Sequence, residues 1–454
     1  MNASTEVTVP GTTSSLAPWL RIVRFGLVQA ALGSVVVVVT STLNRVMVVE
    51  YALPAVLPGA LVALHYAVQM VRPRFGHGSD RGARRTPWII GGMALLACGG
   101  ILCAAATVWM SIAAVPGIVL AILAYALVGL GAGAAGTSLL VLMAAQVDAA
   151  QRAAAATIMW VLMVAGFAVT AGVTGHFLDP FSAPRLLGVT ACVACVAFSL
   201  AVLAVWRIED RASAGRLARL PLRSAPPSAV PFMRALAEVW SEPQARRFTL
   251  FVFVSMIAYS AQELILEPFA GLMYHFSVGA SARLAGLEHG AVFAGMVSVG
   301  MLCRGSRHFG SLRAWTVGGC VASALALVAL SLAGAVGPAW PLEPCVAALG
   351  FANGVFAVSA IGSMMELGAH GRPGRAGVRM GLWGAAQAVG FACGGLFGTS
   401  IVDLARYASG STGLAFGLVF CAEAALFFIA AALAARVVSI KLDDSPTNST
   451  AVPV

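Results

Sequence analysis

Twelve apolar stretches, each long enough to cross a bilayer, follow one another along the chain, and one long polar segment divides them into two sets of six. A helix needs about 20 predominantly apolar residues to span the hydrocarbon core. By that ruler the spans fall at about 25–49, 55–75, 88–110, 115–145, 153–177 and 186–206, then 248–275, 284–303, 314–336, 341–367, 380–404 and 412–435. Within hydrocarbon every backbone polar group must be satisfied internally, which leaves helices for spans of this length. Only 10% of the 454 residues are charged, against about 25% in soluble domains. The expectation is an all-α polytopic membrane protein with 12 transmembrane helices.

The organisation follows from where polarity returns. A Ser/Thr-rich tail over 1–20 lacks the layout of a signal peptide. An N-terminal six-helix bundle over 21–206 follows, then an Arg- and Pro-rich linker at 207–247 with an amphipathic helix near Phe232–Trp240. A C-terminal six-helix bundle takes 248–436, and a second disordered tail takes 437–454.

A net charge of +10 could indicate nucleic acid, but topology explains it better. With the N-terminus cytoplasmic, all of the 28 Lys/Arg lie on the cytoplasmic side except Arg185, Arg283 and Arg406 outside and Arg45 within the first span. That asymmetry predicts both termini inside. Cys192 and Cys195 form a C-x-x-C in the middle of an apolar run, the wrong context for a redox motif. "GAGAAG" (131–136) fits G-x-G-x-x-G but has no preceding strand, so its glycines, like Gly129/Gly133 and Gly390/Gly394/Gly398, are expected to serve close helix packing.

The two sets of spans align at a constant offset of about 223 residues. Arg24-Phe25 falls on Arg247-Phe248, "DRGARR" (80–85) on "CRGSRH" (303–308), and Arg152, Trp160, Gly172 and Gly175 on Arg375, Trp383, Gly395 and Gly398. Two six-span units in the same orientation make a parallel repeat of the major facilitator kind. The loop "GHGSDRGARRTPW" resembles the major facilitator signature between spans two and three, through Gly76, Asp80, Arg81, Arg84 and Arg85, with the second glycine displaced to Gly82. It is expected to act as a gating turn between the halves; the alternative is an ordinary basic loop.

Ionisable groups inside a membrane are costly and mark functional sites by default. The candidates are Asn44, Arg45 and Glu50 in span one, His65 in two, Glu263 and Glu267 in seven, and Glu288 and His289 in eight, with Glu366 and Glu423 further on. Arg45 lies about 30 Å along its helix at 1.5 Å per residue. It is therefore expected either to snorkel to the outer interface or to pair with Glu50, Glu263 or Glu267. Glu263 and Glu267 share a helix face at i, i+4, and Pro268 beside them frees a backbone carbonyl. His65 or His289 could ligate a magnesium porphyrin, though a lone intramembrane histidine is more often a packing group. No catalytic constellation survives its context test, and an enzyme is not expected.

Four blocks, "TLNRVMVVE", "ALHYAVQMVRPRFGHGSDRGARRTPWIIGGMA", "QELILEPFAGLMY" and "NGVFAVSAIGSMMELG…RMGLWGAAQAVGF", together resemble the PucC/LhaA family, the bacteriochlorophyll-delivery branch of the major facilitator superfamily. The likeness runs from about Arg21 to about Ala435 and leans toward the peripheral-antenna branch. It implies an assembly factor in the intracytoplasmic photosynthetic membrane of a purple bacterium. Such a protein would bind light-harvesting antenna α and β polypeptides, hand them bacteriochlorophyll held transiently, and meet bacteriochlorophyll synthesis enzymes. A proton-coupled secondary transporter of a small solute is the alternative.

Overall fold

The computed structural model describes residues 16–71, 84–148, 151–209, 232–303, 310–369 and 376–437. Gly76, Asp80 and Arg81 of the expected gating turn lie outside them, as do residues 1–15, 438–454 and most of the linker, while residues 16–20, expected in the disordered tail, begin the first helix.

Hydropathy predicts the elements well. α1 (Leu16–Val37) runs on through a π-helical turn at Val38–Thr42, one α-turn at Leu43–Arg45 and a second π-helical turn at Val46–Glu50. α2 (Val56–Val68), α3 (Thr86–Met110), α4 (Ala114–Gln146), α5 (Arg152–Phe177) and α6 (Ala183–Val205) complete the first set. The expected amphipathic helix is α7 (Phe232–Ser241). The second set comprises α8 (Pro243–Tyr274), α9 (Val278–Leu302), α10 (Leu312–Val336), α11 (Leu342–Ala369), α12 (Ala376–Ser409) and α13 (Thr412–Val437). Eleven of these helices are long and apolar enough to cross a membrane. The second span differs from expectation, for its regular α-helix covers only Val56–Val68. An Asp403 carboxylate of the other half caps that helix where it starts at Val56, and a 3-10 turn at Gln69–Val71 follows its end.

The packing is the same in both sets. In the first, α1 packs on α5 and α6, α3 on α4 and α6, and α2 on α4. In the second, α8 packs on α12 and α13, α10 on α11 and α13, and α9 on α11. Each contact maps onto its counterpart under the offset read from the sequence, so the molecule is a multi-pass membrane protein of two parallel six-helix repeats. Two seams join the halves, α5 against α9 and α2 against α12. One core gathers Phe25, Met93, Tyr125 and Leu139 of the first half, and another gathers Phe251, Phe356, Phe420 and Phe427 of the second. A smaller cluster of Val37, Val38, Ala171 and Ala285 lies between the halves.

The helices that touch most closely do so through glycine, as the four-residue spacings predict. A Cβ on Gly394 would stand 2.3 Å from the Ile257 carbonyl oxygen, and one on Gly129 would stand 2.6 Å from that of His65.

Candidate functional site at the far end of the seam

The end of the bundle opposite the start of α1 is called the far end below. Here the two π-helical turns interrupt α1 on either side of Asn44 and Arg45. Such single-turn bulges re-aim side chains and cluster at functional positions. They direct three successive polar groups of α1 into the second half.

Ser41 donates its hydroxyl to the Glu267 carboxylate of α8. Asn44 donates its amide to the Leu264 carbonyl at 2.5 Å. That bond has a clear origin. In a regular helix the Leu264 carbonyl would accept from the residue four positions on, but that residue is Pro268, which has no N–H. The carbonyl freed by proline in one half is thus taken by an asparagine of the other.

Arg45 is 1% exposed. It is not an interfacial anchor, and the snorkelling expectation is overturned: its guanidinium is engaged on every side inside the protein. It forms an ion pair with Glu50, donates to the Phe276 carbonyl at 2.6 Å, and reaches the Ser281 hydroxyl at 3.3 Å. Phe276 offers that carbonyl because α8 ends at His275, whose backbone takes the left-handed conformation (φ 56°) and turns the chain toward α9. A planar fork of five donors suits such divergent acceptors, which a lysine could not serve. Of the three expected carboxylate partners only Glu50 pairs with Arg45; Glu267 bonds Ser41, and Glu263 sits half-buried a turn below.

Lower in the second half, Gln262 donates to Glu288 at 3.2 Å. Glu423 of α13 is fully buried with neither carboxylate oxygen hydrogen-bonded. Glu366 is exposed. The described part of the expected gating turn lies at the start of α3, where the backbone N–H of Arg85 and of Thr86 donate to Glu209. Arg84 is exposed beside them.

The two histidines differ in whether a ring nitrogen is left to act as a metal ligand. His65 Nε2 lies 2.8 Å from Gln69 Nε2, whose N–H can only donate, so that ring nitrogen is engaged. His289 Nδ1 lies 2.8 Å from the Ala285 carbonyl and must be its donor, which leaves Nε2 as a lone-pair nitrogen. Its ring packs edge-on against Phe167 of α5, inside the seam. Of the two, His289 has the right tautomer. Among the described residues no three His, Cys, Asp or Glu side chains come together as a metal site.

Sequence reasoning missed Ser41, Ser281 and the Phe276 carbonyl, because hydroxyls and backbone carry no signal in an apolar run. It also missed Asp179 and Asp403, treated below.

Two bundles of six, packed alike and joined along two seams, give the chain a major facilitator-like fold. Solved structures agree: a bacterial homolog to the human lysosomal transporter Spinster superposes with a TM-score of 0.65 at 15% identity, covering 93% of this chain and 98% of that one. The nucleoside transporter NupG gives 0.66 at 12% identity, covering 91% and 99%. Residues 42–442 match the family described as PUCC protein, and the chain belongs to that family. It is 52% identical to the "bacteriochlorophyll synthase 44.5 kDa chain" of Rhodobacter capsulatus, covering 93% of this chain and 96% of the relative. It is 26% identical to the PucC protein of that organism (93% of each chain) and 27% identical to that of Cereibacter sphaeroides (92% and 91%).

Proposed function

We propose that this chain is a membrane assembly factor for the light-harvesting antenna of purple photosynthetic bacteria, with the peripheral complex as its client. It binds antenna α and β polypeptides and delivers bacteriochlorophyll to them. It works in the photosynthetic inner membrane, with both termini cytoplasmic as the arginine asymmetry predicts. The observation that carries this reading is the family match over residues 42–442. Two of the blocks that carry the resemblance, "TLNRVMVVE" and "QELILEPF", meet in space through Asn44 and Leu264. The family's own residues therefore build the contact between halves. The relative at 52% identity bears a pigment-synthesis name; an enzyme that makes bacteriochlorophyll is the natural donor to a protein that hands it on. Were pigment bound, its magnesium would need a nitrogen or oxygen ligand, and His289, with Nε2 unprotonated, is the residue that would supply it. Ala285 fixes the tautomer, and Phe167 fixes the plane of the ring.

Purification of the tagged full chain in mild detergent tests the reading. Copurifying antenna polypeptides with stoichiometric bacteriochlorophyll are expected. A second reading, a proton-coupled transporter of a small solute, is favoured by the half-buried Glu263 and the buried acids Glu267, Glu288 and Glu423, all in the second half. Protein free of pigment and antenna that drives proton-gradient-dependent uptake in pigment-free vesicles would decide for it.

A further inference from the structure

Both seams between the halves close at the far end in the same way. At the α5–α9 seam, Asp179, two residues past the end of α5, accepts from the backbone N–H of Gly279 at 3.2 Å in the first turn of α9. Arg283 of α9 reciprocates, donating to Asp179 at 3.1 Å and to the Gly175 carbonyl at 3.2 Å. At the α2–α12 seam, Asp403 of α12 accepts from the backbone N–H groups of Ala55 and Val56 at 3.0 and 2.7 Å, where α2 begins. Each carboxylate thus sits on the N-terminus of a helix belonging to the opposite half, where unpaired N–H groups and the helix dipole favour negative charge.

The two arrangements are related by the repeat. An offset of 223 carries Gly172 and Gly175 onto Gly395 and Gly398, and carries Asp179 to within one residue of Asp403. The backbones below are correspondingly close. A Cβ on Gly279 would stand 2.3 Å from the Gly175 carbonyl oxygen, one on Gly286 would stand 2.9 Å from Gly172 N, and one on Gly59 would stand 2.1 Å from Thr399 Oγ1. Either helix pair is therefore closely packed through glycine below its far tip and pinned at that tip by one aspartate.

We infer that Asp179 and Asp403 are twin latches, one per seam, that hold the two halves together at the far end, so that access from that face requires both to release. A single latch would leave the opposite seam free to splay. Two equivalent ones on either side of the Arg45 contact resist splaying in both directions. The latches are unequal. Asp179 is backed by a guanidinium on the helix it caps, whereas Asp403 relies on two backbone amides and borders an open pocket of about 410 Å³ lined by Ala52, Pro54, Arg406 and Tyr407. Asp403 is the latch that lets go first.

Thiol labelling of the full chain from the far face tests this. Ala285 is buried about 10 Å below that face, seven residues into α9 at 1.5 Å per residue, and A285C adds only a sulfur. Reaction with a membrane-impermeant maleimide is followed by mass mapping of each cysteine. Native Cys103 and Cys320, buried in the cores of the two halves, report unfolding in the same sample. D179N/D403N is expected to raise A285C labelling at least tenfold, with Cys103 and Cys320 unchanged. D403N alone should give more than D179N alone, and D403E should restore slow labelling. An unchanged rate in the double variant overturns the inference. So does a rise at A285C that Cys103 and Cys320 share, since that reports lost folding rather than an opened gate.

Discussion

Arg45→Met removes the most heavily bonded side chain at the interface while keeping its bulk, and its cost can be worked from the contacts. The Phe276 carbonyl, part-buried and bonded at 2.6 Å, is left without a donor, which costs about 2 kcal/mol. The longer Ser281 bond, 3.3 Å, is worth about 1 kcal/mol. Glu50 keeps 31% of its side chain exposed and rehydrates, so its loss is held to about 1 kcal/mol by solvent screening. The variant is thus expected to lose about 4 kcal/mol. Denaturant titration of the purified protein in mild detergent, read by tryptophan fluorescence, measures this. Arg45→Lys should recover less than half, because a point charge cannot serve three diverging acceptors. A loss under about 1 kcal/mol for Arg45→Met would refute the claim that this arginine joins the halves. In cells the same variant should insert normally and fail to support antenna accumulation.

Asn44→Ala leaves the Leu264 carbonyl unpaired and should cost about 1–3 kcal/mol, whereas Pro268→Ala in that background restores an N–H four residues on and should return part of it; strict additivity in the cycle would sink the pairing. Asp179 should contribute to stability in a pH-dependent way. Burial alone would raise its carboxyl, but the Ser277 hydroxyl, the Arg283 guanidinium and the Gly279 N–H outweigh it and hold the group below its ordinary value of 3.8. A group depressed on folding stabilises above its unfolded pKa and loses that contribution as pH falls through the folded one. The stability gap between parent and D179N should therefore be full at pH 7 and shrink below about pH 4; a gap constant across pH 3–7 contradicts it. Gly279→Ala places a methyl 2.3 Å from the Gly175 carbonyl and should cost about 1–3 kcal/mol by overpacking, in an ordinary thermal melt.

The spans and the repeat were legible because both rest on hydropathy and on a fixed offset, which tertiary context does not rewrite. Helix ends were less so: α8 begins at Pro243 rather than near 248, since Glu242 there holds Arg379 of α12 in a forked pair that hydropathy does not register. Within the site, the charged residues of α1 were readable as costly and therefore partnered, and a backbone carbonyl was readable as freed by Pro268. Which donor would reach it was not, because that depends on π-helical turns that no apolar pattern encodes. Asp179 looks like an ordinary loop acid and Asp403 like an acid at the edge of a span; only laying one repeat on the other brings them into register.

The proline in α8 carries a consequence for biogenesis. Emerging last, the C-terminal half would enter lipid with a bare oxygen at Leu264 and no group of its own to cover it, until Asn44, synthesised some 220 residues earlier, swings alongside. The first half thus acts as a template for the second, and the C-terminal bundle expressed alone should be retained poorly, then rescued when the N-terminal bundle is supplied as a separate polypeptide.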